Sequence, residues 1–339
     1  MQQAQPGTEL PASLSAVAPL VAAALTAVLL ALMLARGRRA LPLDHPNERS
    51  LHDAPVPRSG GVALFAGAIA AWLLLPGTLP PALWAGLALL LAVSYIDDLH
   101  HLAVGWRLAA HLLAAGVLVY AELPREHGVL LAVCALLAAA WMTNLYNFMD
   151  GSDGLAGGMT AFGFGGYALA AWLGGHASLA LQSACIAGAA LAFLAFNFHP
   201  ARVFLGDAGS IPLGYLAAAF GLIGWRDGLW PAWFPLALFS PFVVDASVTL
   251  ARRALRRERV WQAHRSHYYQ RLVQSGFGHR NTALAEYALM AACAALAFAG
   301  LSQPGMVQAA IVVLLAALYL ALIVLLERAW AKRGAVGES

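Results

Sequence analysis

The chain has 339 residues, 61% of them hydrophobic and only 11% charged, and its mean hydropathy is +0.70. An ordinary soluble domain carries about 25% charged residues, so this composition excludes a soluble globule, a disordered chain and a disulfide-stapled secreted domain alike. The net charge of +3 is small, and its distribution along the chain informs more than its size.

Long, unbroken apolar stretches rich in Leu and Ala predict helices rather than the short alternating strands of a barrel, the other structure that lipid admits. In chain order about eleven stretches are long enough to span, at roughly 14–35, 61–79, 81–96, 106–121, 128–146, 156–173, 177–197, 209–225, 230–250, 281–301 and 305–326. The expected fold is therefore all-α, a polytopic integral membrane helical bundle forming a single membrane domain over 1–339, with main cytoplasmic loops at 36–60 and 251–280. No Lys or Arg precedes the first stretch and Arg36, Arg38 and Arg39 follow it, which predicts a retained span with its N-terminus outside rather than a signal peptide. In that orientation 18 of the 20 basic residues face the cytoplasm, and only Arg125 and Arg226 fall outside. Cys134, Cys185 and Cys293 lie inside apolar stretches and are expected to be small core or lipid-facing residues.

Of the nine aspartates, Asp97, Asp98, Asp150, Asp153, Asp207 and Asp245 sit at or near stretch ends on the cytoplasmic side. A carboxylate at membrane depth is costly unless paired, cation-bound or wetted, so the set points to a cation site, although any single one could simply cap a helix or pair with an arginine. Asp97 and Asp98 close the third stretch, and vicinal carboxylates repel unless something neutralises them. In NLYNFMDGSD, Asn144, Asn147, Asp150 and Asp153 recur every three residues and share a face while a helix lasts. Such hard oxygen ligands suit Mg²⁺, with Mn²⁺ as the alternative ion. The turn Gly206-Asp207-Ala208-Gly209-Ser210 opens the eighth stretch, so free N–H groups are expected beside Asp207. Phe204 lies three residues earlier and could stack on a base or anchor the interface. Seven arginines from Arg252 to Arg271, Arg265 among them, surround His264 and His267, a combination suited to phosphate oxygens.

Taken in order, DHPNERSLH, PVPRSGG, YIDD, NLYNFMDGSDGLAGG, FLGDAGS and HRSHYYQRL resemble the polyprenyl-phosphate N-acetylhexosamine-1-phosphate transferases, over about residues 44–280. The resemblance implies an enzyme that moves a sugar-1-phosphate from a UDP-sugar to undecaprenyl phosphate in the bacterial inner membrane, with its active site on the cytoplasmic face. It further implies that Asp207 and Asn147 bind Mg²⁺ and that Asp97 and Asp98 serve the lipid phosphate. Asp150 would support the pyrophosphate, while Asn197, Phe204 and Asp153 would face the uridine. His264 and His267 are carried over as catalytic candidates, and Asn144, Arg58, Arg107 and Arg265 as substrate ligands. The cell-wall branch of that family has a lysine where this chain has His101, with Arg107 further on, and three histidines where it reads His264-Arg265-Ser266-His267. Both departures point to the branch that initiates O-antigen and related polysaccharides. Sugar discrimination is expected from the loop Arg252 to Arg280, whose aromatics are Trp261, Tyr268 and Tyr269, or else from Asn47 to Arg58. Expected partners are the UDP-sugar, undecaprenyl phosphate and membrane lipid, with a homodimer allowed and no nucleic acid. The rival readings are a secondary transporter, whose site should lie near the midplane, and an intramembrane aspartyl protease, which needs two facing aspartates.

Overall fold

Stretches dominated by Leu and Ala, with Gly and Pro gathered mostly at their edges, fold as helix throughout. The structure, a computed structural model, describes residues 12–36, 42–44, 46, 51, 54–260, 262 and 264–337; Arg38, Arg39, Asn47 and Trp261 lie outside them. The first helices are α1 (Ala12–Ala35), α2 (Gly60–Trp72), α3 (Pro81–His100), α4 (Val104–Glu122), α5 (Gly128–Phe148), α6 (Leu155–Leu173) and α7 (Ala177–Asn197). They are followed by α8 (Asp207–Arg226), α9 (Trp233–Leu238), α10 (Ser240–Leu255), α11 (Tyr268–Leu272), α12 (Gly278–Leu301) and α13 (Gly305–Gly337). Strands β1 (Leu43–Asp44) and β2 (Val56–Pro57) pair antiparallel, Leu43 opposite Pro57 and Asp44 opposite Val56.

The chain is an all-α, polytopic membrane protein, with eight helices long and apolar enough to cross a bilayer among the described residues. Three of the eleven expected stretches fall short of that measure for separate reasons. α2 stops after 13 residues, the 230–250 stretch breaks at Phe239 into α9 and α10, and α6 carries five glycines that dilute its hydropathy.

α8 is the axis of the bundle. Its apolar window is 83% buried, against 11% for α13, and α2, α3, α4, α5 and α6 pack around it. Lipid tails are as apolar as leucine, so helices associate in a membrane chiefly by close packing. Small residues make that packing possible here: Gly61 of α2 lies directly on the backbone of Gly209, and Gly214 faces the Met142 carbonyl of α5. The two-stranded hairpin is stitched to the chain just before α8, where Phe204 N–H donates to Pro57 O (2.7 Å). Gly60 and Gly61 N–H donate in turn to Phe204 O and Leu205 O (2.9 and 2.8 Å). As a result the C-terminal ends of α3, α5 and α7 and the N-terminal ends of α2, α6 and α8 meet at one end of the bundle.

Candidate active site

Asp97 and Asp98 close α3 and are both buried, yet they take different partners. Asp97 Oδ1 accepts from Leu102 N–H (2.6 Å), and its Oδ2 lies 3.0 Å from Arg107 Nη1. Asp98 accepts from the first two N–H groups of α8, those of Asp207 (3.2 Å) and Ala208 (3.0 Å), with Arg58 Nη1 at 3.9 Å. These donors have no partner within the helix and carry its positive end, so a carboxylate is well matched to them. Gly206, at φ 75°, makes the turn that aims them; a Cβ there would lie 2.7 Å from Arg58 O and 3.1 Å from Asp98 Oδ2.

Asp207 itself, at the start of α8, stands 3.7 Å from Arg107 Nη1. With its amide oriented to satisfy its neighbours, Asn147 donates to Asp207 Oδ1 (3.2 Å) and Ser210 Oγ (3.1 Å) and accepts from Arg107 Nη2 (3.3 Å). Arg107 thus ties Asp97, Asp207 and Asn147 together from three different helices. Turned the other way, so that its oxygen accepts from Ser210 Oγ (3.1 Å), Asn147 sets a second hard oxygen beside Asp207, a pair that fits Mg²⁺ when water and phosphate oxygens complete the shell. Among the described residues there is no group of three or more His, Cys, Asp or Glu able to hold an ion by protein alone.

The spacing of Asn144, Asn147, Asp150 and Asp153 gives one shared face only as far as the helix runs, and α5 ends at Phe148. Asn144, one turn deeper, donates to the Ala140 carbonyl (3.5 Å). Asp150 lies on the loop after α5; burial, then the carboxylates of Asp207, Asp98 and Asp44, push its carboxyl well above the ordinary range. Asp153 turns away from this group. Its Oδ2 accepts from Ala201 N–H (3.1 Å) and lies 2.6 Å from His199 Nδ1, and the His199 ring stacks on His279 at 5.5 Å. Asn197 is buried and fully engaged, accepting from Gly154 N–H and donating to Val203 O, both at 2.9 Å. It clamps the loop after α5 to the loop before α8, on which half-buried Phe204 is held by its backbone.

The 264–277 segment docks beside the end of α5. Asp245 of α10 accepts from Tyr268 and Tyr269 N–H (2.9 and 3.0 Å) and lies 3.2 Å from His267 Nδ1, so His267 is buried as the cap of α11. His264 is half-buried against it at 4.8 Å, while Arg265 is exposed. Burial, then His267 and Arg253, lower His264 to about 4, so it is neutral at pH 7 and cannot clamp a phosphate by charge. The expectation that Tyr268 and Tyr269 offer faces to a sugar is corrected. Both are buried, the Tyr269 hydroxyl donating to Phe148 O (3.0 Å) and Arg252 donating to the Tyr268 hydroxyl (2.7 Å).

Asp44, His199 and His279 were given no role by the sequence. His279 bridges Ser152 Oγ and Leu51 O, both at 2.9 Å, so it fastens three segments far apart in the chain. Only the DHPNERSLH and NFHPARVFLGD motifs hinted at the first two, and nothing local marked His279.

Carboxylates, an asparagine and arginines converging at helix ends, on one face of a membrane bundle, define a membrane enzyme built for anionic substrates. The family model described as glycosyl transferase family 4 matches residues 81–224. The decaprenyl-phosphate N-acetylglucosaminephosphotransferase of Mycolicibacterium smegmatis is 30% identical over 290 residues, 72% of this chain and 71% of that one. A probable undecaprenyl-phosphate N-acetylglucosaminyl 1-phosphate transferase of Bacillus subtilis is 29% identical over 262 residues, 72% and 73% of the two chains. A phospho-N-acetylmuramoyl-pentapeptide-transferase of Shouchella clausii is 46% identical, but over 95 residues, 28% of each chain. The chain belongs to the polyprenyl-phosphate hexosamine-1-phosphate transferases of glycosyl transferase family 4.

Proposed function

We infer that this protein transfers an N-acetylhexosamine 1-phosphate, or that of a 6-deoxy relative, from a UDP-sugar to undecaprenyl phosphate, releasing UMP, at the cytoplasmic face of a bacterial inner membrane. The product would begin a surface polysaccharide. The observation that carries this reading is the meeting of Asp97, Asp98, Asp207, Asn147 and Arg107 at helix ends, in a chain of this family. A transporter site would lie at mid-depth, and an aspartyl protease would have no use for the arginine and asparagine. The likeness to N-acetylglucosaminyl enzymes over 72% of the chain, against 28% for the muramoyl enzyme, supports a simple N-acetylhexosamine donor. The departures at His101 and at His264 to His267 support an O-antigen type of pathway.

In the transfer, an acceptor phosphate oxygen bonds to the sugar-bearing phosphorus and the bond from that phosphorus to UMP breaks. Both substrates are anions, so catalysis rests on positioning and charge neutralisation. Mg²⁺, or Mn²⁺, held by Asp207 and Asn147 would neutralise the pyrophosphate and the departing UMP. Arg107, braced by Asp97, presents a fixed guanidinium to a phosphate oxygen, and Arg58 offers a second one beside Asp98. Asp98 fixes the start of α8 and with it the direction of Asp207. Asp150, on the loop after α5 beside these carboxylates, supports the pyrophosphate site. The acceptor phosphate is mostly deprotonated at neutral pH, since its second pKa is about 6, so it attacks directly without a strong base. Phe204 and the Asp153 loop then take the uridine.

The test is UMP release by purified protein given undecaprenyl phosphate, a panel of UDP-sugars and Mg²⁺. We expect turnover with UDP-N-acetylhexosamines, its loss in excess EDTA and its recovery on adding Mg²⁺ or Mn²⁺. No release with any UDP-sugar, or full activity in EDTA, overturns the reading.

A further inference from the structure

Away from the aspartates, where α10, α11 and α13 end together, lies a second constellation of charge. Arg252 of α10 and Arg271 of α11 both pair with Glu327 of α13, Arg271 at 2.8 Å. The Arg271 guanidinium also lies over the rings of Tyr268 (5.3 Å) and Trp330 (5.4 Å). Arg253 Nε lies 3.3 Å from Glu258 Oε2, and its Nη2 donates to Arg259 O (3.3 Å). With the exposed Arg256, these arginines ring a small polar cavity of about 30 Å³, which Ser266 also lines. That volume seats phosphate oxygens but not a whole headgroup. Among the described residues only Glu258 and Glu327 stand at ion-pair distance from the four arginines, so positive charge is in excess.

A second cavity, of about 190 Å³, shares Tyr268 and Arg271 with the first and is otherwise mostly apolar, lined by Leu272, Phe277, Leu326 and Trp330. A cationic seat therefore opens beside an apolar slot, at the level where the apolar part of α13 gives way to Glu327, Arg328 and Lys332. Trp330 sits where aromatic side chains favour the boundary between hydrocarbon and headgroups. Neither cavity belongs to the aspartate site. The charges that act on Asp98, Asp150 and Asp207 are Arg58, Arg107 and other aspartates, and none comes from this ring.

We propose that the ring and slot bind an anionic glycerophospholipid of the cytoplasmic leaflet, its phosphate against Arg253 and Arg256 and an acyl chain along Leu272, Phe277 and Trp330. The geometry favours an anionic over a zwitterionic lipid, because a headgroup that carries its own cation is repelled by the ring. A free phosphate would leave the apolar slot unused. By holding α13 to the segment that bears His264 and His267, the lipid steadies one wall of the enzyme from outside its catalytic centre.

The experiment is a native mass spectrometry titration of the detergent-solubilised full chain with phosphatidylglycerol, phosphatidylcholine, inorganic phosphate and undecaprenyl phosphate. We expect one phosphatidylglycerol to bind in preference to phosphatidylcholine. Arg253→Ala with Arg256→Ala should weaken it about tenfold or more, as the loss of two interfacial cations dictates. Trp330→Ala should weaken it as well, and Arg257→Ala with Arg259→Ala, outside the ring, should not. Arg256→Gln at the exposed rim gives the same reading if the double variant fails to fold. Equal binding of phosphatidylcholine, competition by inorganic phosphate at matched concentration, displacement by undecaprenyl phosphate, or equal loss in the Arg257 and Arg259 variant would each overturn the proposal.

Discussion

Asp207 and Arg107 show how much one side chain can decide here. Asp207→Asn keeps the volume and a donor or acceptor for each neighbour but removes the charge that a divalent cation and Arg107 both face. Removing a single electrostatic element of a transition state costs about a hundredfold to a thousandfold in rate. The variant should therefore melt near wild type in detergent while UMP release falls at least that far, and near-normal turnover in Mg²⁺ would exclude Asp207 as the charged ligand. Asn147→Ala should be milder, since a neutral ligand attracts a cation less. Arg107→Lys should not substitute for Arg107, because one ammonium cannot span Asp97, Asp207 and Asn147 as the guanidinium does. It should lose activity nearly as fully as Arg107→Ala, and recovery of half the wild-type rate would contradict the bridging role. His264 makes a pH prediction of definite sign. It binds its proton near 6.5 when unfolded and near 4 when folded, so over that interval the unfolded chain holds more protons and stability falls as pH drops. His264→Asn should lose less melting temperature than wild type between about pH 7 and pH 5; an equal or larger loss would mean that the folded ring is not held neutral.

Few helices in this bundle act alone, and the site is an assembly of their ends. Asn197 is the clearest case: from the last turn of α7 it satisfies Gly154 N–H at the start of α6 and Val203 O ahead of α8. Asn197→Ala leaves both backbone groups buried and unpaired, at about 1–3 kcal/mol for each group. The expected result is a melting temperature lowered by several degrees together with weaker UDP binding in calorimetry. Weaker binding at an unchanged melting temperature would instead make Asn197 a direct nucleotide ligand. The asparagine is legible in the sequence, but its clamp is not, since it joins Gly154, 43 residues upstream, to Val203, 6 residues downstream. The pair Asp97 and Asp98 teaches the same lesson: two identical neighbours at a helix end were visible, yet only the packing of α3 on α8 gives one to Arg107 and the other to a helix N-terminus. Three-residue spacing groups Asp153 with Asn147 only while a helix lasts, and α5 stops at Phe148. His279 was invisible because its partners, Ser152 and Leu51, are 127 and 228 residues away along the chain. What the sequence carried well was whatever depends on hydropathy and charge: the helical class, the positions of the apolar stretches and the crowding of aspartates at their ends.

The orientation of the molecule follows from which helix ends touch. Gly60 at the start of α2 bonds Phe204, just before α8, and Asp98 at the end of α3 bonds the start of α8, so α2 and α3 leave the site and come back to it. The bond from Gly154 to Asn197 makes the same outward and return pair of α6 and α7. α8 then runs away from the site to Arg226, which pairs with Glu122 and Asp227 at the far end, and α9 with α10 must return the chain so that Asp245 can hold Tyr268 and Tyr269 beside Phe148. Each excursion needs two crossings, including those by the short α2 and the broken α9–α10 pair. α2 is about 20 Å long at 1.5 Å per residue, against a hydrocarbon core of about 30 Å, so the loop 73–80 must complete its passage. Arg125 and Arg226 lie at the end away from the aspartates, while Arg58, Arg107 and the arginines of 252–280 lie at the other, and basic residues accumulate on the cytoplasmic side. Reporter fusions at exposed Gly175, between α6 and α7, should therefore read as outside the cell, and fusions at Arg257, after α10, as cytoplasmic. Both fusions reading on the same side would break the return of α9 and α10. The reverse pair of readings would strand Asp97, Asp98 and Asp207 on the face that cytoplasmic nucleotide sugars never reach, and the proposed reaction would fall with the topology.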